Sequence, residues 1–128
     1  MKLRYIFAAV YILVDILYVG FSRDVYNVAT KQIQGTGMAN RLWAALAAYT
    51  CMVLGWFFLA APAAERATSL ISAIGVGIVY GLLVIGTFNF TLHAMLTNWA
   101  GYIMIRDLMW GITWSTVVTV MYYIINKK

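Results

Sequence analysis

Few residues in this 128-residue chain could do chemistry: four acids, one histidine (His93), one cysteine (Cys51) and nine tyrosines. Asp15 and Asp107 lie inside apolar runs, where a carboxylate costs roughly 2.5 to 3.5 kcal/mol even on insertion scales, so each needs a partner, a proton or a function. Acids placed in this way are suited to holding a proton or a cation. One histidine and one cysteine cannot build a Cys/His zinc site or an internal disulfide, so no metal and no other cofactor is expected. As a general base His93 would need a nucleophile or a polarised water, and no motif supplies one. The sequence has no G-x-S-x-G elbow, H-E-x-x-H pair, Walker loop or potassium-filter motif, and its apolar runs contain no lysine for a retinal Schiff base. The chain is therefore expected not to be an enzyme.

The elements that must position these residues are membrane helices. Hydrophobic residues make up 64% of the chain and charged residues only 10%, against about 25% charged in soluble domains. With roughly 20 apolar residues needed per crossing, this suffices for about four spans and leaves no room for a separate soluble domain. The runs at 5–21, 42–61, 68–90 and 102–125 are read as the spans of an all-α, four-transmembrane-helix bundle, a single membrane domain covering residues 1–128. The first run follows Lys2 and Arg4 as a signal peptide would, but Asp15 in its body and the lack of a small-x-small cleavage site favour a retained helix. Pro62 is expected to close the second run, and Ala63-Ala64-Glu65-Arg66 to open the third. Between the first two, Val25, Val28, Ala29 and Ile33 recur at helical spacing and predict a short interfacial helix, ended by Gly35-Thr36-Gly37.

Nine Lys and Arg against four acids give a net charge of +5, which in a soluble protein would suggest nucleic acid. In a membrane protein these cations flank the spans, so the expected partner is the lipid bilayer and not nucleic acid. Arg23, Lys31, Arg41 and Arg106 fall on one side, and Lys127 and Lys128 on the other with Lys2, Arg4 and Arg66. That bias of five to four favours termini in the cytoplasm or its topological equivalent.

Depth brings the polar residues together. At about 1.5 Å of rise per residue, Asp15, Asn89 and Asp107 all fall within roughly 10 Å of the interface opposite the termini, and Tyr49 and Thr50 reach a similar level. Tyr18 and Trp110 stand about one turn from the two acids and complete an expected intramembrane polar cluster. Arg106, about 100° around the helix from Asp107, is expected to snorkel unless it reaches Asp15. Two readings of the cluster stand: a hydrogen-bonded group that fixes helix register, and a proton- or cation-binding site in a half-membrane cavity. Ala73, Gly77 and Gly81 form a small-residue row in the third run. Gly55 belongs to a similar row with Ala47 and Cys51, beside Ala44 and Ala48, and the fourth run has Gly111 and Ser115. These rows read as helix contacts, with Cys51 a small packed residue.

The segments Val14-Asp15-Ile16-Leu17-Tyr18-Val19-Gly20, Thr87-Phe88-Asn89-Phe90-Thr91 with Trp99, and Arg106-Asp107-Leu108-Met109-Trp110-Gly111 carry a resemblance. The chain resembles the small four-pass membrane proteins of domain-of-unknown-function family 2177, found in bacteria and some large DNA viruses. That family's pattern has an acid and Leu-Trp-Leu-Gly in the first span, Tyr-Asp-Leu-Thr-Asn ending the third and Asp-x-x-Trp-Gly in the fourth. Tyr18 stands where the family has Trp, Asn89 where it has Asp and Leu92 where it has Asn, so one acid of the family's cluster is neutral here. The resemblance implies a fold and a topology but no activity.

Two roles are compatible with these features. One is a structural or assembly role with capsid or other membrane proteins as partners, which in a virus would place the chain in the virion inner membrane and otherwise in a cell membrane. Its contact surfaces would be residues 22–41 and the basic ends. The alternative is a small proton- or cation-coupled transporter working as a homo-oligomer, by analogy with four-pass multidrug exporters that carry an acid in their first span.

Overall fold

The apolar runs fold as helices because a bilayer offers no partner for free backbone N–H and C=O groups. The computed structural model describes residues Lys2 to Lys128. Within them, α1 covers Lys2–Phe21, α2 Arg23–Gln34, α3 Leu42–Arg66, α4 Leu70–Met95 and α5 Gly101–Asn126, with no strand among the described residues. Helices α1, α3, α4 and α5 are each long and apolar enough to cross a membrane. Their large apolar side chains point outward, among them Leu13, Leu17, Phe58, Ile71, Val79 and Met109. In a bilayer that is the face for lipid.

Two helix ends differ from expectation. Pro62 does not close α3: the helix continues to Arg66, so residues 63–66 end the second long helix instead of opening the third. A π turn at Trp56–Ala60, in which the Ala61 N–H bonds to Trp56 O five residues back, precedes the proline. Widening the helix there accommodates the pyrrolidine ring and the N–H that proline lacks. The third helix starts after Ser69, whose side chain accepts from the Ser72 N–H at 3.2 Å as an N-cap. It runs on to Met95, beyond the expected end at residue 90, which puts His93 in the last helical turn; His93 Nδ1 lies 3.1 Å from Trp99 O.

The segment after α1 does form a helix, α2, and Gly35 ends it with a φ of +77°, a conformation that a glycine adopts without steric cost.

Packing is tightest between α4 and α5. Ala73, Gly77 and Gly81 are buried in this contact. A Cβ on Gly77 would run into the Thr116 backbone, and one on Gly81 would lie 2.7 Å from Ile112 Cα. Gly111 faces the Ile85 side chain from the other helix, and Ser115 is fully buried beside it. The glycines thus let two backbones approach as larger residues could not.

The row expected on α3 behaves differently. Ala47, Ala48 and Cys51 are exposed, Ala44 is half-buried, and no residue of Leu42–Gly55 is buried. Only Gly55 meets a neighbour closely, with the Tyr80 hydroxyl 2.9 Å from where its Cβ would be. The reason is positional. The apolar core, with Phe7, Tyr11, Trp56, Tyr80, Val118 and Tyr122, gathers toward the end of the bundle where α1 begins and α5 finishes. The first half of α3 lies beyond that core and stands off from the other helices.

Candidate functional site: a half-membrane cavity

Where α3 stands off, a cavity of about 620 Å³ opens among all four long helices. Its origin can be read in side-chain size. Toward the cavity α3 presents Ala45, Ala48, Cys51 and Gly55, none of which can fill the space, with Tyr49 and Met52 beside them. On the α4 side a second π turn, Leu82–Gly86, supplies Leu83, Val84 and Ile85 to the wall, and Asn89 follows one turn later. Such turns are frequent at functional sites.

Both intramembrane acids border this space. Asp15 Oδ1 accepts a hydrogen bond from Trp110 Nε1 at 3.0 Å. The Trp110 ring stacks on Tyr18 with centroids 4.5 Å apart and planes 4° from parallel. Asp107 Oδ1 accepts two hydroxyl donors, Tyr18 at 2.9 Å and Tyr26 at 2.6 Å. Each carboxylate therefore has its own donors, supplied by a neighbouring helix, and both are almost fully buried. Burial, followed by the Asp107 hydrogen bond, raises the Tyr26 phenol well above its ordinary pKa, so it remains a donor.

Asn89 is completely buried. Its Nδ2 donates to Ile85 O of its own helix at 3.2 Å, while its Oδ1 has no partner. A buried amide carbonyl without a donor is costly, and this one lies at the cavity wall.

Of the residues expected in the polar cluster, Asp15, Tyr18, Tyr49, Asn89, Asp107 and Trp110 border the cavity. Thr50 does not: it is exposed and its hydroxyl donates to Leu46 O at 2.8 Å, because it lies on the opposite side of α3 from Ala48 and Cys51. Arg106 neither snorkels freely nor reaches Asp15. Its Nη2 donates to Ser22 Oγ at 2.8 Å, and its guanidinium sits 5.3 Å from the Tyr18 ring centroid. Arg23, Lys31, Arg41, Lys127 and Lys128 are exposed.

Sequence reasoning missed Tyr26, although it shares a face of α2 with Ala29 and Ile33 at helical spacing. Glu65 was expected only to help open the third run. Glu65 instead lies in the last turn of α3 and pairs with Arg4, Nε to Oε1 at 2.7 Å and Nη2 to Oε2 at 2.5 Å, while the Tyr122 hydroxyl donates to Oε1 as well.

These contacts belong to a longer pattern. Antiparallel helices α1 and α5, with Ser22 just beyond α1, are joined by polar pairs along their whole length: Arg4 with Tyr122 at 3.4 Å, Tyr11 with Ser115 at 3.0 Å, Asp15 with Trp110, Tyr18 with Asp107 and Ser22 with Arg106. Trp114 Nε1 adds a bond to Tyr11 O at 3.0 Å. In a membrane, where apolar packing gives helices little preference for one another over lipid, such bonds select the partner and the register.

Four membrane-competent helices with ionisable groups turned into the bundle define a four-span membrane protein. Residues 1–124 match the family described as predicted membrane protein (DUF2177), and the chain belongs to that family. No curated protein and no solved structure matches it.

Proposed function

We propose that this is a non-enzymatic membrane protein that binds a small amphipathic molecule in the half-membrane cavity. The reading rests on one observation: two buried carboxylates and an unpartnered amide oxygen surround a single, largely apolar space of about 620 Å³. Ligand sites are typically apolar clefts of roughly 300 to 1,000 Å³ with a few convergent polar groups. Ionisable groups kept inside a membrane bundle are most often functional. A structural or assembly role, in a cell membrane or anchoring a virion membrane to capsid proteins, would act through α2 and the exposed ends. The α1–α5 bonds of the two acids would serve such a role as well, but the open space and the unpartnered Asn89 oxygen at its wall would have no use in it, and the ligand-binding reading is preferred for that reason.

Thermal unfolding in phosphatidylcholine nanodiscs tests the reading, because a ligand that binds only the folded state raises its melting temperature. Either 1-octanol or 1-octylamine should raise the midpoint of the wild-type protein. Ala48→Phe, which fills the space from α3, should abolish the shift. Equal shifts in both proteins, or none in either, would overturn the reading.

A second reading is favoured by the polar pairs between α1 and α5, which continue from the cavity to Arg4 and Glu65 at the other end of the bundle. They suit a small proton- or cation-coupled transporter acting as a dimer. Proton flux into liposomes should then be lost in Asp15→Asn, and wild-type flux no greater than that of protein-free liposomes would count against it.

A further inference from the structure

We propose that the ligand of this cavity is a primary ammonium group on an apolar chain, held through its N–H donors by Asn89 Oδ1 and the Asp107 carboxylate. The inference rests on the ligand-binding reading above and narrows it to a chemical class.

Donors and acceptors around the cavity are unequally used. The O–H groups of Tyr18, Tyr26 and Tyr49 and the N–H of Trp110 are already directed at the carboxylates, and the Tyr80 O–H donates to Met52 O. Asn89 Nδ2 is committed to Ile85 O. What remains open is acceptor capacity. Asn89 Oδ1 is buried without a partner, and both hydroxyl donors of Asp107 converge on Oδ1, leaving Oδ2 without a side-chain donor among the described residues. A ligand that satisfies this site must bring hydrogen atoms to donate, and a primary ammonium brings three.

Charge points the same way. Two carboxylates border the space, whereas Arg106, the cation next to Asp107 in the chain, turns to Ser22 and does not line it. A buried charge is tolerated only when paired, and a cation within the cavity supplies that pairing. The stacked Tyr18 and Trp110 rings add aromatic surface beside the acids, which also suits a cation. The remaining wall, from Leu59, Leu83, Val84 and Phe88, is apolar and takes the chain. A quaternary ammonium would bring charge without donors, an alcohol a donor without charge, and a carboxylate the wrong sign.

Cys51 is the only cysteine, is exposed and borders the cavity, so the rate at which methyl methanethiosulfonate modifies it reports occupancy. The test compares 1-octylamine, octyltrimethylammonium, 1-octanol and octanoate at matched mole fractions in phosphatidylcholine nanodiscs at neutral pH. Octylamine should halve the rate at a concentration about tenfold below that of each other compound, the discrimination expected of charge-assisted hydrogen bonds. Asn89→Leu should shrink that preference several-fold, and the wild-type series stands alone if the variant does not fold. If octyltrimethylammonium or octanol protects at equal or lower concentration, the ammonium class is wrong while a ligand cavity stands. If none of the four protects, the ligand-binding reading itself falls. Repeating the series with half the lipid replaced by phosphatidylethanolamine separates two sources of the same chemistry. Slow modification before any amine is added marks the lipid headgroup as the ligand, and an unchanged octylamine response marks a free amine.

Discussion

Tyr26, on the short helix between the first two long ones, donates its hydroxyl to Asp107 Oδ1 at 2.6 Å across a sequence separation of 81 residues. Through this bond α2 is tied to the wall of the cavity. Apart from Ala29, no residue of α2 itself is buried, and its other bond to the chain beyond α3 is an exposed one, Asn98 Nδ2 to Gln32 O at 3.3 Å.

Tyr26→Phe removes that bond and leaves the ring. Hydrogen bonds to charged groups contribute about 1.5 to 3 kcal/mol, so amide exchange in residues 23–34 should accelerate by roughly tenfold or more. Exchange in the buried parts of α4 and α5 should not change. Hydrogen-exchange mass spectrometry in nanodiscs checks both.

Gly81→Val places a side chain where Ile112 Cα already lies 2.7 Å from the position of a Cβ. The clash is with backbone and cannot be relieved by a rotamer. Overpacking of this kind costs typically about 1 to 3 kcal/mol, to be read as a lower midpoint in denaturant titration. Gly75→Ala is the matched control in the same helix: nothing lies within 4 Å of its Cβ, and its midpoint should not fall.

The Arg4 and Glu65 pair closes the bundle at the end where α1 begins, with side chains about a quarter exposed at 24% and 29%. Partial exposure limits its contribution to about 1 kcal/mol. Arg4→Met and Glu65→Gln should each lower stability by about that much, and the double variant should lose little more than either alone, because the two side chains act as a unit. A double-mutant cycle on unfolding midpoints measures the coupling.

The four-helix fold was legible because it depends on a composition with few charges and on long apolar runs, both properties of the sequence alone. The convergence of Asp15, Asn89 and Asp107 followed from their depths along helices of fixed rise. Other features depend on how helices sit against one another. The Ala44, Ala47, Ala48 and Cys51 row has the spacing of a packing face, yet α3 stands off from the bundle there and the small residues make a cavity instead. The small-residue pattern is the same in both cases; only the presence or absence of an opposing helix decides. Tyr26 was hidden for a related reason, since a tyrosine on a polar helix carries no sign of a partner 81 residues away. The π turn before Pro62 also kept a helix going where a proline ordinarily marks an end.

Photoaffinity labelling in nanodiscs with a short alkylamine carrying a diazirine probes the ligand cavity bordered by Asp15, Asn89 and Asp107. Adducts are expected to concentrate on half-buried cavity residues of all four long helices, such as Val19, Met52, Val84 and Trp110, and to be displaced by excess 1-octylamine. Adducts spread over outward-facing residues such as Leu13, Phe58, Ile71 and Val79, and unchanged by octylamine, would contradict a ligand cavity there.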